Sequence, residues 1–371
     1  MNTIRFVNLC LQSGSNYYRY ILPARTGLQF FNKPFALSQH STRFYSEKMS
    51  KPKVYVTRAI TTEAMNILEE FCEVSSWPEP DPVSRDVLLE NVSGKDALFC
   101  LLTDRIDKEV LDKAGPNLKI IATMSVGYDH LDVNEIKKRN IKIGYTPDVL
   151  TDATAELTVA LLLATSRRLL EANEEARNGG WKAWSPFWLC GPGLNGATVG
   201  IVGFGRIGQE VAKRLKPFNI KRLIYHNRSE KAKEAKEIGA TRVNLEELLA
   251  ESDFVIATCA LTPETKEMFN DCAFKKMKPT AVFINTSRGG VVHQESLVRA
   301  LTHKTIWGAG LDVMTPEPLP VDDPLFKLKN CVILPHIGSA TIEARSTMAM
   351  LTAKNILAGL KGENMPAELK I

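Results

Sequence analysis

Thr198-Val-Gly-Ile-Val-Gly-Phe-Gly-Arg-Ile-Gly208 is the stretch on which the fold turns. Val199 to Gly203 are small or β-branched apolar residues, the pattern of a strand buried on both faces. Gly203-x-Gly205-x-x-Gly208 follows at once, and Gln209–Pro217 predicts a helix. Strand, glycine turn and helix together read as a dinucleotide fingerprint. The first glycine allows the tight turn, and the second lets the backbone approach the pyrophosphate. The third lets helix and strand pack closely, so that the helix N-terminus turns its free N–H groups on the phosphates.

Downstream, Arg222–His226 predicts the second strand of the nucleotide unit. A fold that binds NAD ends this strand in Asp or Glu, which takes the ribose hydroxyls. Here the sequence is Asn227-Arg228-Ser229. A carboxylate repels a 2′-phosphate, whereas Arg228 can pair with one and Ser229 can hydrogen-bond it. The expected cofactor is therefore NADP(H), with NAD(H) held through backbone contacts left open. Strands are further predicted at Asp253–Thr258, Ala281–Asn285, Ile306–Leu311 and Cys331–Leu334, and helices at Lys266–Lys276, Gln294–Leu301 and Thr341–Leu360.

Upstream, strands are predicted at Lys53–Thr57, Ala97–Leu102 and Leu118–Thr123, with helices at Thr62–Phe71, Arg85–Asn91 and Lys108–Ala114. This alternation implies a parallel sheet with helices packed on it. Strand Leu118–Thr123 runs into Met124-Ser-Val-Gly-Tyr-Asp-His130, where the N–H groups of Val126 and Gly127 can hold an anion. Thr151–Glu171 predicts one long amphipathic helix capped by Thr151-Asp152, its Leu157/Leu161/Leu162 stripe serving packing or a subunit seam. Asn178–Gly196 carries Trp181, Trp184, Phe187 and Trp188 on an irregular segment, which favours a dimer arm over a self-packed loop.

At 371 residues the chain has room for about two domains. Its net charge of +5 resides in residues 1–46, which hold Arg5, Arg19, Arg25, Lys33 and Arg43 and no carboxylate. Without them 42 bases face 42 acids, so the remainder has no nucleic-acid signature. The basic, acid-free leader reads as a mitochondrial transit peptide with a processing motif at Arg43-Phe-Tyr-Ser46. Met49 offers a second start that would yield a cytosolic form. The closest apolar run, Leu157–Ala164, is too short to span a membrane. Seven scattered cysteines with no C-x-x-C argue for free thiols in a reducing compartment, and against zinc or a disulfide framework.

Three polar residues fall at the ends of late strands: Arg288 in Asn285-Thr-Ser-Arg-Gly-Gly290, Glu317 in Thr315-Pro-Glu-Pro-Leu319, and His336 in Pro335-His-Ile-Gly-Ser-Ala-Thr341. Singly each has a bland reading as surface charge, loop acid or core histidine. Together they supply what reduction of a 2-oxo acid requires. An arginine binds the carboxylate and polarises the neighbouring carbonyl. A histidine donates a proton to the oxygen as hydride reaches the carbon. A carboxylate bonded to that imidazole fixes its tautomer and favours its protonated form. There is no metal-ligand spacing, P-loop or G-x-S-x-G.

From Lys53 to the C-terminus the sequence resembles the D-isomer-specific 2-hydroxyacid dehydrogenase family. The resemblance rests on Gly203-Phe-Gly-Arg-Ile-Gly208, Asn285-Thr-Ser-Arg-Gly289, Gly310-Leu-Asp-Val313 with Pro316-Glu-Pro318, and Leu334-Pro-His-Ile-Gly-Ser339. It implies two α/β domains of Rossmann-like and flavodoxin-like parallel sheets, with the active site in the cleft between them. The expected division is a leader over 1–50, a substrate domain over 51–149 completed by 342–371, and a nucleotide domain over 150–341 with arm 178–196. The resemblance makes Arg288 the substrate clamp, His336 the proton donor and Glu317 its partner. Val126, Gly127 and Gly338 line the substrate pocket, with Trp184 reaching in from a partner subunit. Gly203, Gly205, Arg206, Ile207, Gly208, Asn227, Arg228, Ser229, Thr286 and Asp312 form the implied cofactor set. The expected activity is NADPH-dependent reduction of glyoxylate and hydroxypyruvate by a homodimer, with no nucleic-acid or membrane partner. Phosphoglycerate or formate enzymes of the family, and its non-catalytic corepressor scaffolds, are the alternatives. The absence of a following regulatory domain, Pro335 before His336, and the leader with Arg228 weigh against them in turn.

Overall fold

The computed structural model describes residues 50–370. The expected leader, its processing motif and Met49 lie outside the described residues. Five strands, β1 (Lys53–Val56), β2 (Glu73–Ser76), β3 (Ala97–Cys100), β4 (Ile120–Thr123) and β5 (Lys142–Gly144), form an all-parallel sheet ordered β2-β1-β3-β4-β5. Seven more form a second: β6 (Thr198–Val202), β7 (Arg222–His226), β8 (Thr241–Arg242), β9 (Phe254–Ala257), β10 (Val282–Asn285), β11 (Gly308–Leu311) and β12 (Cys331–Ile333). Their order is β12-β11-β10-β9-β6-β7-β8, again all parallel.

Both sheets are covered on both faces, which is why β3, β4, β6, β9 and β10 are buried throughout. In the larger sheet the order reverses between β6 and β9, where Val202 pairs with Ala257. That register sets the loops after Val202 and Ala257 side by side at the carboxyl edge, where an open α/β sheet has its ligand crevice. The C-terminal helix Ile342–Leu360 packs on the smaller sheet, its Met348, Ala349, Ala353 and Ile356 sharing a core with Val54, Phe99, Ile120 and Ala122. Ile207, one residue beyond the turn's arginine, packs against the cores of both sheets. Among the described residues no helix is long and apolar enough to cross a membrane.

Three helices differ from the sequence expectations. The single helix over Thr151–Glu171 is two, Thr151–Ser166 and Leu169–Arg177. Arg168 takes the left-handed conformation at φ 52°, fixed by two 2.8 Å bonds from its guanidinium to Glu171. The first of these helices is entered from Leu150 with no side-chain cap, so Thr151-Asp152 is not its cap; Asp152 bonds Arg214 instead. The helix expected over Lys266–Lys276 runs only from Asp271 to Lys276, capped by Asn270. Before it the chain turns at Glu267 (φ 51°) and Phe269 bridges to Val292. Finally, the fingerprint helix spans Arg206–Leu215, starting inside the glycine turn and ending before Pro217, which lies in a 3-10 turn.

Candidate active site

The three glycines of the turn differ in what surrounds them. Gly203 has φ +95°, and a Cβ there would lie 2.5 Å from the backbone nitrogen of Cys259. A Cβ on Gly208 would lie 2.2 Å from the Gly203 carbonyl oxygen. Gly205 has open space around it, and as N-cap it contributes no side chain to the helix's first N–H groups. That opening, beside unclaimed donors at a positive helix end, fits a pyrophosphate. Thr258 Oγ1 donates to the Gly203 carbonyl at 2.7 Å, and the neighbouring Cys259 thiol is pushed up to about 11 by burial. Arg206, the first residue of the helix, pairs with Asp148.

At the end of β7, Asn227 serves the turn: its Oδ1 accepts the Phe204 N–H at 3.2 Å and its Nδ2 donates to the Ser229 carbonyl at 2.8 Å. Arg228 and Ser229 are exposed beside it. Arg242, at the end of β8, donates to the carbonyls of Asn227 and Arg228 at 3.2 and 3.3 Å. This second guanidinium was missed, because β8 is only two residues long and carries no apolar period. Thr286 is buried, its hydroxyl 2.8 Å from that of Thr158.

The loops after β10, β11 and β12 meet along the same carboxyl edge. Asp312 N–H donates to the Asn285 carbonyl and His336 N–H to the Asp312 carbonyl, each at 2.9 Å. The Asp312 side chain is 1% exposed and accepts the N–H groups of Ile337 and Gly338 at 2.8 Å. Burial nevertheless holds its carboxyl above the ordinary value. Asp312 thus shapes the loop that carries His336, and a Cβ on Gly338 would lie 3.1 Å from its carboxylate. His336 Nδ1 lies 2.7 Å from Glu317 Oε2, while Glu317 Oε1 accepts the Met314 N–H at 2.9 Å. His336 Nε2 is left without a protein hydrogen bond among the described residues.

Arg288 reaches across to the loop after β4. Its Nε donates to Asp129 Oδ1 at 2.9 Å and its Nη1 to the Ser287 carbonyl at 2.8 Å. A Cβ on Gly127 would fall 1.7 Å from Nη2, so glycine is required for the guanidinium to come this close. Burial pushes the Asp129 carboxyl up, but the Arg288 charge outweighs it and holds the group below the usual range. Asp129 and His130 carried no sequence signal, since loop residues have no period and the partner of Asp129 is 159 residues away. Trp181, Trp184 and Phe187 are 66%, 83% and 86% exposed on an irregular segment.

The sequence profile described as D-isomer specific 2-hydroxyacid dehydrogenase, NAD binding domain, matches residues 159–338. Human glyoxylate reductase/hydroxypyruvate reductase is 56% identical over 86% of this chain and 98% of its own length. Glyoxylate reductase of Thermococcus litoralis is 51% identical, covering 85% of this chain and 96% of its own. Among solved structures, a Thermus thermophilus protein aligns with a TM-score of 0.80 at 44% identity, covering 86% of this chain and all of its own. The NADPH-dependent glyoxylate/hydroxypyruvate reductase of Sinorhizobium meliloti, in complex with NADP and malonate, aligns at TM-score 0.75 and 31% identity. It covers 86% of this chain and 97% of its own.

Proposed function

The chain belongs to the D-isomer specific 2-hydroxyacid dehydrogenase family, and on that premise we propose that it reduces glyoxylate to glycolate and hydroxypyruvate to D-glycerate with NADPH. One observation carries the reading: the His336–Glu317 contact of 2.7 Å stands on the same sheet edge as Arg288 and the glycine turn. In this assignment Arg288 and the N–H groups of Val126 and Gly127 hold the substrate carboxylate. Arg288 also draws electron density from the adjacent carbonyl. His336 Nε2 gives its proton to the carbonyl oxygen, and Glu317 stabilises the charged ring beforehand and holds its orientation. Gly203–Gly208 would hold the pyrophosphate of NADPH, whose nicotinamide would supply the hydride for the carbonyl carbon. In the reverse direction His336 takes the hydroxyl proton.

Arg228 with Ser229 supports NADPH over NADH, because no carboxylate closes the end of β7. The exposed Trp arm supports a homodimer in which Trp184 meets the partner's site. The leader supports import into the mitochondrial matrix. Incubation with hydroxypyruvate and NADPH, followed by chiral analysis of the product, tests the function. D-glycerate is expected; L-glycerate, or no product, contradicts it. Sedimentation of the wild type against Trp184→Ala with Phe187→Ala tests the dimer, which should weaken in the double variant. Import of the full chain into isolated mitochondria, with shortening of the leader, tests the address.

A further inference from the structure

We propose that Asp129 is a positioning residue: from across the cleft it sets Arg288 so that Nη2 faces the substrate carboxylate. This rests on the functional reading above. The two residues are 159 positions apart in the chain, one after β4 of the smaller sheet and the other after β10 of the larger. Asp129 takes Nε and the Ser287 carbonyl takes Nη1, which among the described residues leaves Nη2 as the nitrogen free to bind an anion. Nη2 lies against the Cα of Gly127, and a Cβ there would also touch Asp129 Oδ1 at 3.0 Å. Guanidinium, carboxylate and glycine therefore meet at one point, beside the N–H groups that complete the clamp.

The loop that presents Asp129 is held from beneath by a buried polar chain. His130 Nε2 lies 2.9 Å from Thr123 Oγ1, which lies 2.8 Å from Ser125 Oγ, which donates to the Gly127 carbonyl at 2.7 Å. The last bond fixes the order of protons. Ser125 spends its proton on Gly127, so it accepts from Thr123, and Thr123 accepts from His130 Nε2–H. His130, Thr123 and Ser125 are 8%, 0% and 3% exposed, so the chain is a rigid support for the loop. An ordinary surface ion pair contributes little. This one occupies the nitrogen whose placement decides where the other two point, and its side chains are 22% and 36% exposed.

The test compares wild type, Asp129→Ala and Asp129→Asn, each as the NADPH complex. Two quantities are read: KM for glyoxylate, and the affinity for oxalate measured by calorimetry. Oxalate presents the carboxylate and accepts no hydride. Loss of a hydrogen bond to a charged group predicts oxalate affinity and glyoxylate KM both weakened about 10- to 100-fold in Asp129→Ala. Asp129→Asn keeps an acceptor oxygen and should recover most of the loss, to within about 10-fold of wild type. The affinity for NADPH and the melting temperature should not move in either variant, whereas a merely structural role would shift them together with KM. Unchanged oxalate affinity in Asp129→Ala overturns the proposal. So does tighter binding, which would mean that Asp129 competes with the anion for Arg288. Should Asp129→Ala fail to fold, Asp129→Leu, which also lacks the acceptor, replaces it, and unchanged oxalate affinity in that variant overturns the proposal. If the wild type reduces no 2-oxo acid, the functional reading fails while the oxalate titration still decides the positioning. Failure of the wild type to bind oxalate counts against both.

Discussion

His336 and Glu317 face each other side chain to side chain, Nδ1 to Oε2 at 2.7 Å, across the loops that follow β12 and β11. The second carboxylate oxygen is tied to the Met314 backbone, so the pair is anchored at its acidic end. Replacing His336 with Ala should cut kcat for glyoxylate reduction by roughly 10²- to 10⁴-fold, the usual worth of a placed proton donor. KM should change little, because the carboxylate is held elsewhere. Glu317→Gln should cost about 10- to 100-fold in kcat, through loss of the charged hydrogen bond. Steady-state rates at saturating NADPH check both; full turnover in His336→Ala removes the proton-donor assignment.

The glycines of the turn should separate folding from cofactor binding. Gly208→Ala forces a Cβ to 2.2 Å from a backbone oxygen and should lower the melting temperature along with cofactor affinity. The Cβ of Gly205→Ala meets no described residue within 4 Å beyond its chain neighbours, so the variant should fold normally while binding nucleotide more weakly. Thermal melts with and without NADPH distinguish the two, and equal stability loss in both variants would contradict the assignment of that space to the pyrophosphate.

Arg228→Ala should raise KM for NADPH by about 10- to 100-fold and leave KM for NADH nearly unchanged. The NADPH effect should fade as ionic strength rises, since the site is exposed. Paired titrations with the two nucleotides at low and high salt check this.

His130 should make the fold sensitive to acid. Burial holds its imidazole down at about 4, against an ordinary 6.5, so the unfolded chain takes up this proton first as pH falls. The stability it secures is complete above about 6.5 and is lost progressively toward pH 4, up to about 3 kcal/mol. His130→Gln keeps a donor for Thr123 and should flatten the decline between these limits. Urea unfolding at a series of pH values decides it; parallel declines in the two proteins would point to another group.

What the sequence made legible follows from how the information is stored. The buried strands and the glycine turn are local: β6 reads as apolar at every position from Val199 to Val202, and Gly203 and Gly208 lack a side chain because the backbone leaves no room for one. Arg288, Glu317 and His336 could be placed on one edge because parallel strands put their carboxyl ends together. Tertiary contacts were not legible. The left-handed turn at Arg168 is set by a bond to Glu171 and by the close approach of Gly191, where a Cβ would lie 1.9 Å from the Ser166 carbonyl. No helical pattern announces that break. Asp129 and Arg242 matter through partners 159 and 14 to 15 residues away, and their neighbours in sequence say nothing of them. Nor does the sequence show that the Asp312 side chain binds the backbone of the loop that carries His336.

The most direct measurement is the initial rate of NADPH oxidation by the purified chain with glyoxylate and with hydroxypyruvate, alongside the same assay with NADH. Saturable oxidation is expected with both acids, with a higher kcat/KM for NADPH than for NADH. Absence of any oxidation dependent on a 2-oxo acid, with either nucleotide, would contradict the proposed function.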